Sequence, residues 1–378
     1  FSQNFIDACV ELGYPIIEDF NDVSKPGSNM GAGWHHVNIK NGERCGVYEG
    51  YLKGALDRSN LEMSTESLVT KLLIEGKKCI GVEYIKDGKV CQAFAKREVI
   101  LSAGAIQSPK ILMLSGIGNP EKLKSHGIDL VHPLNGVGEN FHDHPLIIGP
   151  MILVDRPGED PKGNMTEVAL FWKSFPEMTY PDMEITMVHR APFGENFFGN
   201  VSKRAETGLP VTDVTELVNP RVILTLPGLM KPLSRGTLSL KDSDPNSYPI
   251  VDCNYFSESL DLERMVQMIK IGRSIYKTKT MAQLGAAEIG PGDSISTDED
   301  LRQWVKSNVG SYYHFVGSCK MGRDNLSVVD PHLCVHGIEH LRVVDASVMP
   351  SITAANTHTT TVMIAEKAVD FIRSDYKI

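Results

Sequence analysis

The feature that most restricts how this chain can fold is a change of hydrophobic period along its length. Between about residues 150 and 295, apolar and polar residues alternate in strand-like runs: Glu167–Trp172, Met183–His189, Val222–Leu226 and Gly236–Lys241. A helical pattern returns only at about Leu260–Tyr276. Alternation with period two turns one face of each strand toward a core, and strands that follow one another without crossover helices pair antiparallel. On either side, strands and helices alternate instead. Val99–Ser102 reads as a short strand leading through Ala103-Gly104-Ala105 into a helix at Ser108–Leu114. Near the other end come a helix at Glu299–Ser307, a strand at Leu341–Val344 and a helix at about Thr360–Ile372. Because the ends resemble each other and the middle differs, the expectation is an inserted lobe: residues 1–149 with 313–378 in one discontinuous α/β domain, and 150–312 in a mostly antiparallel α+β domain.

The first hundred residues add local detail. Residues 1–13 read as a helix closed by Gly13 and Pro15, residues 14–44 as an extended loop rich in Gly, Pro and Asn, and residues 47–58 as helix. An alternating stretch, Glu62–Leu73, precedes a strand at Cys79–Lys86, an Asp87-Gly88 turn and a return strand at Val90–Lys96. That register pairs Cys91 with Tyr84 and Cys79 with Lys96, which argues against a disulfide between the two cysteines. The chain opens on Phe1 within an amphipathic pattern (Phe5, Ile6, Cys9, Leu12), so it is expected to begin inside folded structure.

Composition excludes several classes of function. A formal charge of −9 over 378 residues argues against nucleic acid as a partner, since phosphate binding needs clustered Lys and Arg. No apolar run approaches the ~20 residues of a membrane-spanning helix, and no signal peptide is expected among these residues. The seven cysteines show neither a CxxC pair nor zinc-ligand spacing. Sequons at Asn164, Asn200 and Asn325 permit secretion without requiring it. His142 and His144 flank Asp143 but offer two metal ligands at most, and no G-x-S-x-G elbow suggests a serine hydrolase.

Two histidine neighbourhoods stand out as sites for chemistry. One runs from Tyr313 and His314 to Gly322; the other is Ala355-Asn356-Thr357-His358-Thr359-Thr360. Both set a histidine among small residues, where a cofactor can approach the backbone. Between them lies Leu341–Ser347, a strand ending in Asp345 and Ala346. The Ala103-Gly104 turn, placed between a strand and a helix, is a candidate for presenting backbone N–H groups to a nucleotide phosphate.

Taken together, the motifs resemble those of the glucose–methanol–choline (GMC) oxidoreductases. The run Gly104–Gly118 is similar to that family's second signature, and Gly136-Val137-Gly138-Glu139-Asn140-Phe141-His142-Asp143-His144-Pro145 resembles its "GVGxNLxDHP" segment. Ser234-Arg235-Gly236 with Asp244-Pro245 looks like the sheet of the family's substrate lobe. His314–Gly322, Val328–Pro331 and Asp345–Pro350 match the C-terminal block in order. The flavour is that of the insect glucose-dehydrogenase-like branch, which carries an expectation of an extracellular, secreted protein. The resemblance implies FAD as cofactor and oxidation of a small-molecule alcohol by hydride transfer to flavin, with oxygen or a quinone as electron acceptor.

By the same analogy His314 takes the hydroxyl proton and His358 hydrogen-bonds the developing alkoxide. Asp345 and Ala346 would lie along the diphosphate and ribityl, Ala103 and Gly104 near the ribose and phosphate, Thr359 near the flavin, and Val69 at the adenine edge. The sequence departs from the pattern at Phe315, Ala354-Ala355, His358 and Thr360. It also contains no GxGxxG, the unit that seats the FAD diphosphate on a helix N-terminus. The expected fold is therefore an incomplete FAD-binding Rossmann-like domain of GMC type with an inserted, mostly antiparallel substrate domain. Two rivals follow: a truncated, non-catalytic binding protein, and a flavin-containing lyase of the same fold.

Overall fold

A computed structural model of the chain describes residues 1–155, 164, 166–191 and 219–377. Asn200, one of the three sequons, lies outside them, as does the rest of 192–218. The described residues fall into two compact units, each assembled from three stretches of chain. The first comprises 1–36, 144–234 and 255–313; the second comprises 37–143, 235–254 and 314–378.

The first unit is built on a large antiparallel sheet. Its main path runs Gly31–Trp34, Thr166–Trp172, Met183–Ala191, Asn219–Leu229, Pro145–Leu146, Gly310–Ser311, and Met151–Leu153 pairs with Asn219–Leu229 as well. The alternation seen in the sequence is what divides the faces. Leu170 lies opposite Ile185 and Val168 opposite Met187, and these four belong to one core with Leu262, Met265, Val266 and Ile269 of the Ser259–Tyr276 helix. Their spacing of three and four keeps those helical side chains on one face. Each such side chain, fully buried, stabilises by about 1.5–3 kcal/mol. Gly272 lets the helix lie close to the sheet, since a Cβ there would stand 3.0 Å from Pro150 and 3.2 Å from Thr225. Between the core-facing pairs lie Ala169 opposite Thr186 and Phe171 opposite Glu184, which the pleat turns to the other face.

The second unit has its own core. A meander, Leu68–Glu75, Lys78–Lys86 and Lys89–Phe94, turns at Asp87 and Gly88, both with positive φ (50° and 72°) as a two-residue hairpin requires. Tyr84 faces Cys91 as the turn predicts, and all seven cysteines are free thiols. Val99–Leu101 pairs in parallel with Leu341–Val343, and Val99–Leu101 leads directly into the Gly104–Leu114 helix. Leu101, Leu112, Val343, Val348, Ile352, Ile364 and Ala368 are buried together. Beside them the Arg342 guanidinium, 3% exposed, bridges Glu98 at 2.9 Å and Asp375 at 2.5 Å.

This division corrects the expected boundaries in two places. Residues 1–36 join the antiparallel unit, because the Ser2–Glu11 helix buries Phe5, Ile6 and Cys9 in that core and Gly31–Trp34 pairs with Thr166–Trp172. Residues 235–254 join the other unit instead of the substrate lobe. There Gly236 exchanges backbone hydrogen bonds with Phe141, Leu238 N–H reaches Gly138, and Leu238 enters the core. Local elements differ as well. The 14–44 loop contains the Gly31–Trp34 strand, residues 48–55 form a π turn and a 3-10 turn, and the helix after the Val99 strand starts four residues earlier than its pattern suggests.

Candidate functional site

The second unit holds nearly all the residues singled out for chemistry. Its strand–turn–helix is closed by Asp345, whose carboxylate accepts from the Gly104 N–H at 2.9 Å and from the Ser108 hydroxyl at 2.5 Å. The other carboxylate oxygen accepts from the Ser347 N–H at 2.8 Å. The structure thus brings the Ala103-Gly104 turn against Asp345. It also changes what the turn offers. A carboxylate already sits at the positive end of this helix, so Gly104 is not a free donor for a phosphate there.

Next to this turn opens a cavity of about 570 Å³ whose lining includes Val69, Val82, Val99, Ser102, Ala103 and Gln107. Val69 and Ala103 are among the expected cofactor residues. Apolar walls with a few hydroxyl and amide groups suit a flat heteroaromatic ring with polar edges, and the volume is in the ordinary range for small-ligand pockets.

His314 lies elsewhere in this unit. Its backbone N–H donates to Asp143 Oδ1 at 2.8 Å, which gives Asp143 a partner beyond the turn before Pro145. Burial lowers the imidazole pKa from 6.5 to about 4, so the ring stays neutral at neutral pH. Asn356 Nδ2 stands 3.4 Å from His314 Nε2. An amide NH2 can only donate, which leaves Nε2 as the acceptor bearing a lone pair. Phe315, one of the departures from the family pattern, stacks on Phe141 with ring centroids 5.4 Å apart.

His358, the expected partner of His314, is placed differently. It is exposed on the first turn of the Thr357–Tyr376 helix and lines an apolar groove of about 490 Å³ with Val47, Tyr51, Val362 and Val369. Thr359 is exposed on the same turn. Asn356 is the residue that sequence reasoning passed over. It stands at the N-cap of that helix, but its side chain makes no capping hydrogen bond and reaches His314 instead. Among the described residues no cluster of His, Cys, Asp and Glu could hold a metal ion, and no helix is long and apolar enough to cross a membrane.

Comparison with known proteins shows the family. Two models described as GMC oxidoreductase match residues 1–146 and 232–365. The alcohol dehydrogenase [acceptor] of Pseudomonas putida is 34% identical over 98% of this chain and 68% of its own length. The chain belongs to the GMC oxidoreductase family. Another relative is the human mitochondrial choline dehydrogenase, 36% identical over 98% of this chain. The chain spans 62% of that relative's length. Among solved structures, a formate oxidase of Aspergillus oryzae RIB40, whose description concerns FAD modification, superposes with a TM-score of 0.84 at 25% identity. It covers 99% of this chain, which covers 70% of it. The GMC fold, with its mixed α/β content and antiparallel sheets, is thus that of FAD-dependent oxidases. The relatives are choline and alcohol dehydrogenases, which corrects the placement of this GMC chain in the insect glucose-dehydrogenase-like branch.

Proposed function

We propose that this chain carries the base and part of the cofactor site for FAD-dependent oxidation of a small alcohol. The observation that carries the reading is His314. It is a partly buried imidazole kept neutral by its surroundings, its Nε2 lone pair directed at the NH2 of the Asn356 amide. Such a nitrogen can accept the hydroxyl proton of an alcohol, and the Asn356 amide can donate to the oxygen as negative charge develops on it. FAD, when bound, supplies the hydride acceptor. Of this chain's residues, Val69 and Ala103 would hold the adenosine end in the cavity beside the Gly104 turn, and Ala346 follows the Asp345 that closes it.

The names of the relatives make choline the first alcohol to try, with oxygen or a quinone as the acceptor. The test is anaerobic mixing of the flavin-loaded protein with choline and other small primary alcohols while the flavin absorbance is followed. One of them should bleach the flavin, and His314→Ala should slow that step by ~10²–10⁴-fold, the range for loss of a general base. A near wild-type rate in the variant removes His314 from this role. Turnover without any electron acceptor would favour the lyase instead.

A further inference from the structure

The Gly136–Pro145 motif has no part in the chemistry above, yet its central residues tie together the two loops that carry His314 and Asn356. Asn140 adopts positive φ (57°) and sends its side-chain NH2 to the carbonyls of Gly317 and Pro350, both at 3.3 Å. Its amide oxygen accepts from Arg235 Nε at 3.2 Å. His142 exchanges two backbone hydrogen bonds with Val316, at 3.1 and 2.9 Å, two residues beyond His314.

The His142 ring is 1% exposed and bonded at both nitrogens. Nε2 lies 3.0 Å from the Ile352 N–H, and Nδ1 lies 2.6 Å from the Asn140 carbonyl. A backbone N–H can only donate and a backbone carbonyl can only accept. The ring is therefore the neutral Nδ1–H tautomer, with Nε2 accepting. Gly317 makes room for it: a Cβ there would come within 2.7 Å of the imidazole and 2.4 Å of the Asn140 carbonyl, and its φ of +90° suits glycine.

We propose that His142 is a positioning residue, its imidazole joining the Asn140 and Val316 segments to Ile352 and so setting the spacing between His314 and Asn356. A side chain that touches neither reacting atom acts here by holding two loops that do not follow one another in sequence. Their alignment matters because a misplacement of about 1 Å in a reacting pair costs on the order of 10²-fold in rate. The inference rests on the reading of His314 and Asn356 given above, but the tie itself can be measured without flavin or substrate.

The experiment compares His142→Leu, which removes both ring hydrogen bonds, with His142→Gln, whose carbonyl can still accept from Ile352. Amide hydrogen exchange of residues 350–357 should quicken about tenfold in the Leu variant, the scale of one lost buried hydrogen bond. Exchange in the Ser259–Tyr276 helix should be unchanged, and the Gln variant should recover most of the protection. In the flavin-loaded protein the Leu variant should lose kcat for flavin reduction about tenfold or more while KM and flavin content hold. Wild-type exchange in the Leu variant, or equal exchange in Leu and Gln, overturns the tie. Altered exchange with an unchanged reductive rate overturns the positioning role and leaves His314 as base untouched. Loss of activity in His314→Ala with wild-type exchange at 350–357 separates the base from the tie.

Discussion

At the scale of single residues, the burial of ionisable groups separates chemistry from structure. His314 is kept neutral beside an amide donor, the state the proposed proton acceptor requires, whereas Glu184 sits in the antiparallel unit at 1% exposure. Burial raises the Glu184 pKa from 4.5 to about 7, against hydrogen bonds from the Thr186 and Tyr312 hydroxyls that pull it down. Between those values the unfolded chain gives up a proton that the folded chain keeps. The contribution is therefore present below about pH 4.5 and lost as pH rises through 7. By pH 8 the wild type should lose up to about 3 kcal/mol, relative to pH 4.5, that Glu184→Gln retains. Urea unfolding of both proteins across that range checks this, and parallel pH profiles would refute the neutral buried acid. None of this was legible in the sequence, where Glu184 is one polar position in an alternating strand. His314 is a candidate in the sequence because of its neighbours. Asn356 and His358 were not told apart, because loop spacing does not say where a helix begins.

At the scale of elements, legibility followed periodicity. The Ser259–Tyr276 helix and the hairpin about Asp87-Gly88 are close to their expected bounds, since each has both a hydrophobic period and its own punctuation. Gly31–Trp34 escaped notice because Gly-Ala-Gly-Trp carries no alternation, and pairing with Thr166–Trp172 is what makes it a strand. The Gly104–Leu114 helix starts early despite Pro109, which can give no N–H to the Ala105 carbonyl. Ser318, fully buried, supplies the missing donor: its hydroxyl reaches that carbonyl at 2.5 Å. Ser318→Ala should therefore destabilise the protein by about 1–3 kcal/mol, the cost of an unsatisfied buried acceptor. Adding Pro109→Ala, which restores a backbone N–H at that turn, should recover part of the loss. A double variant no more stable than Ser318→Ala, by denaturation midpoint, would contradict this.

At the scale of the molecule, the sequence leads to the expectation of an antiparallel lobe interrupting an α/β one, and the two compact units divide the chain at other seams. A seam depends on which core each segment enters. The Ser2–Glu11 helix and residues 235–254 are amphipathic or alternating in ways that fit either core, and only packing assigns them. The candidate site shows the same limit. It needs residues 140–143, 314–317 and 350–356 side by side, and no local pattern announces that meeting. The central claim is that His314 works with Asn356 and not with His358. The most direct measurement is the rate of flavin reduction by a reactive alcohol in flavin-loaded His314→Ala, Asn356→Ala and His358→Ala. The account predicts losses of ~10²-fold or more for the first two, the scale of losing a base or an oxyanion donor, and a rate close to wild type for His358→Ala. A slow His358→Ala beside an unimpaired Asn356→Ala would contradict it.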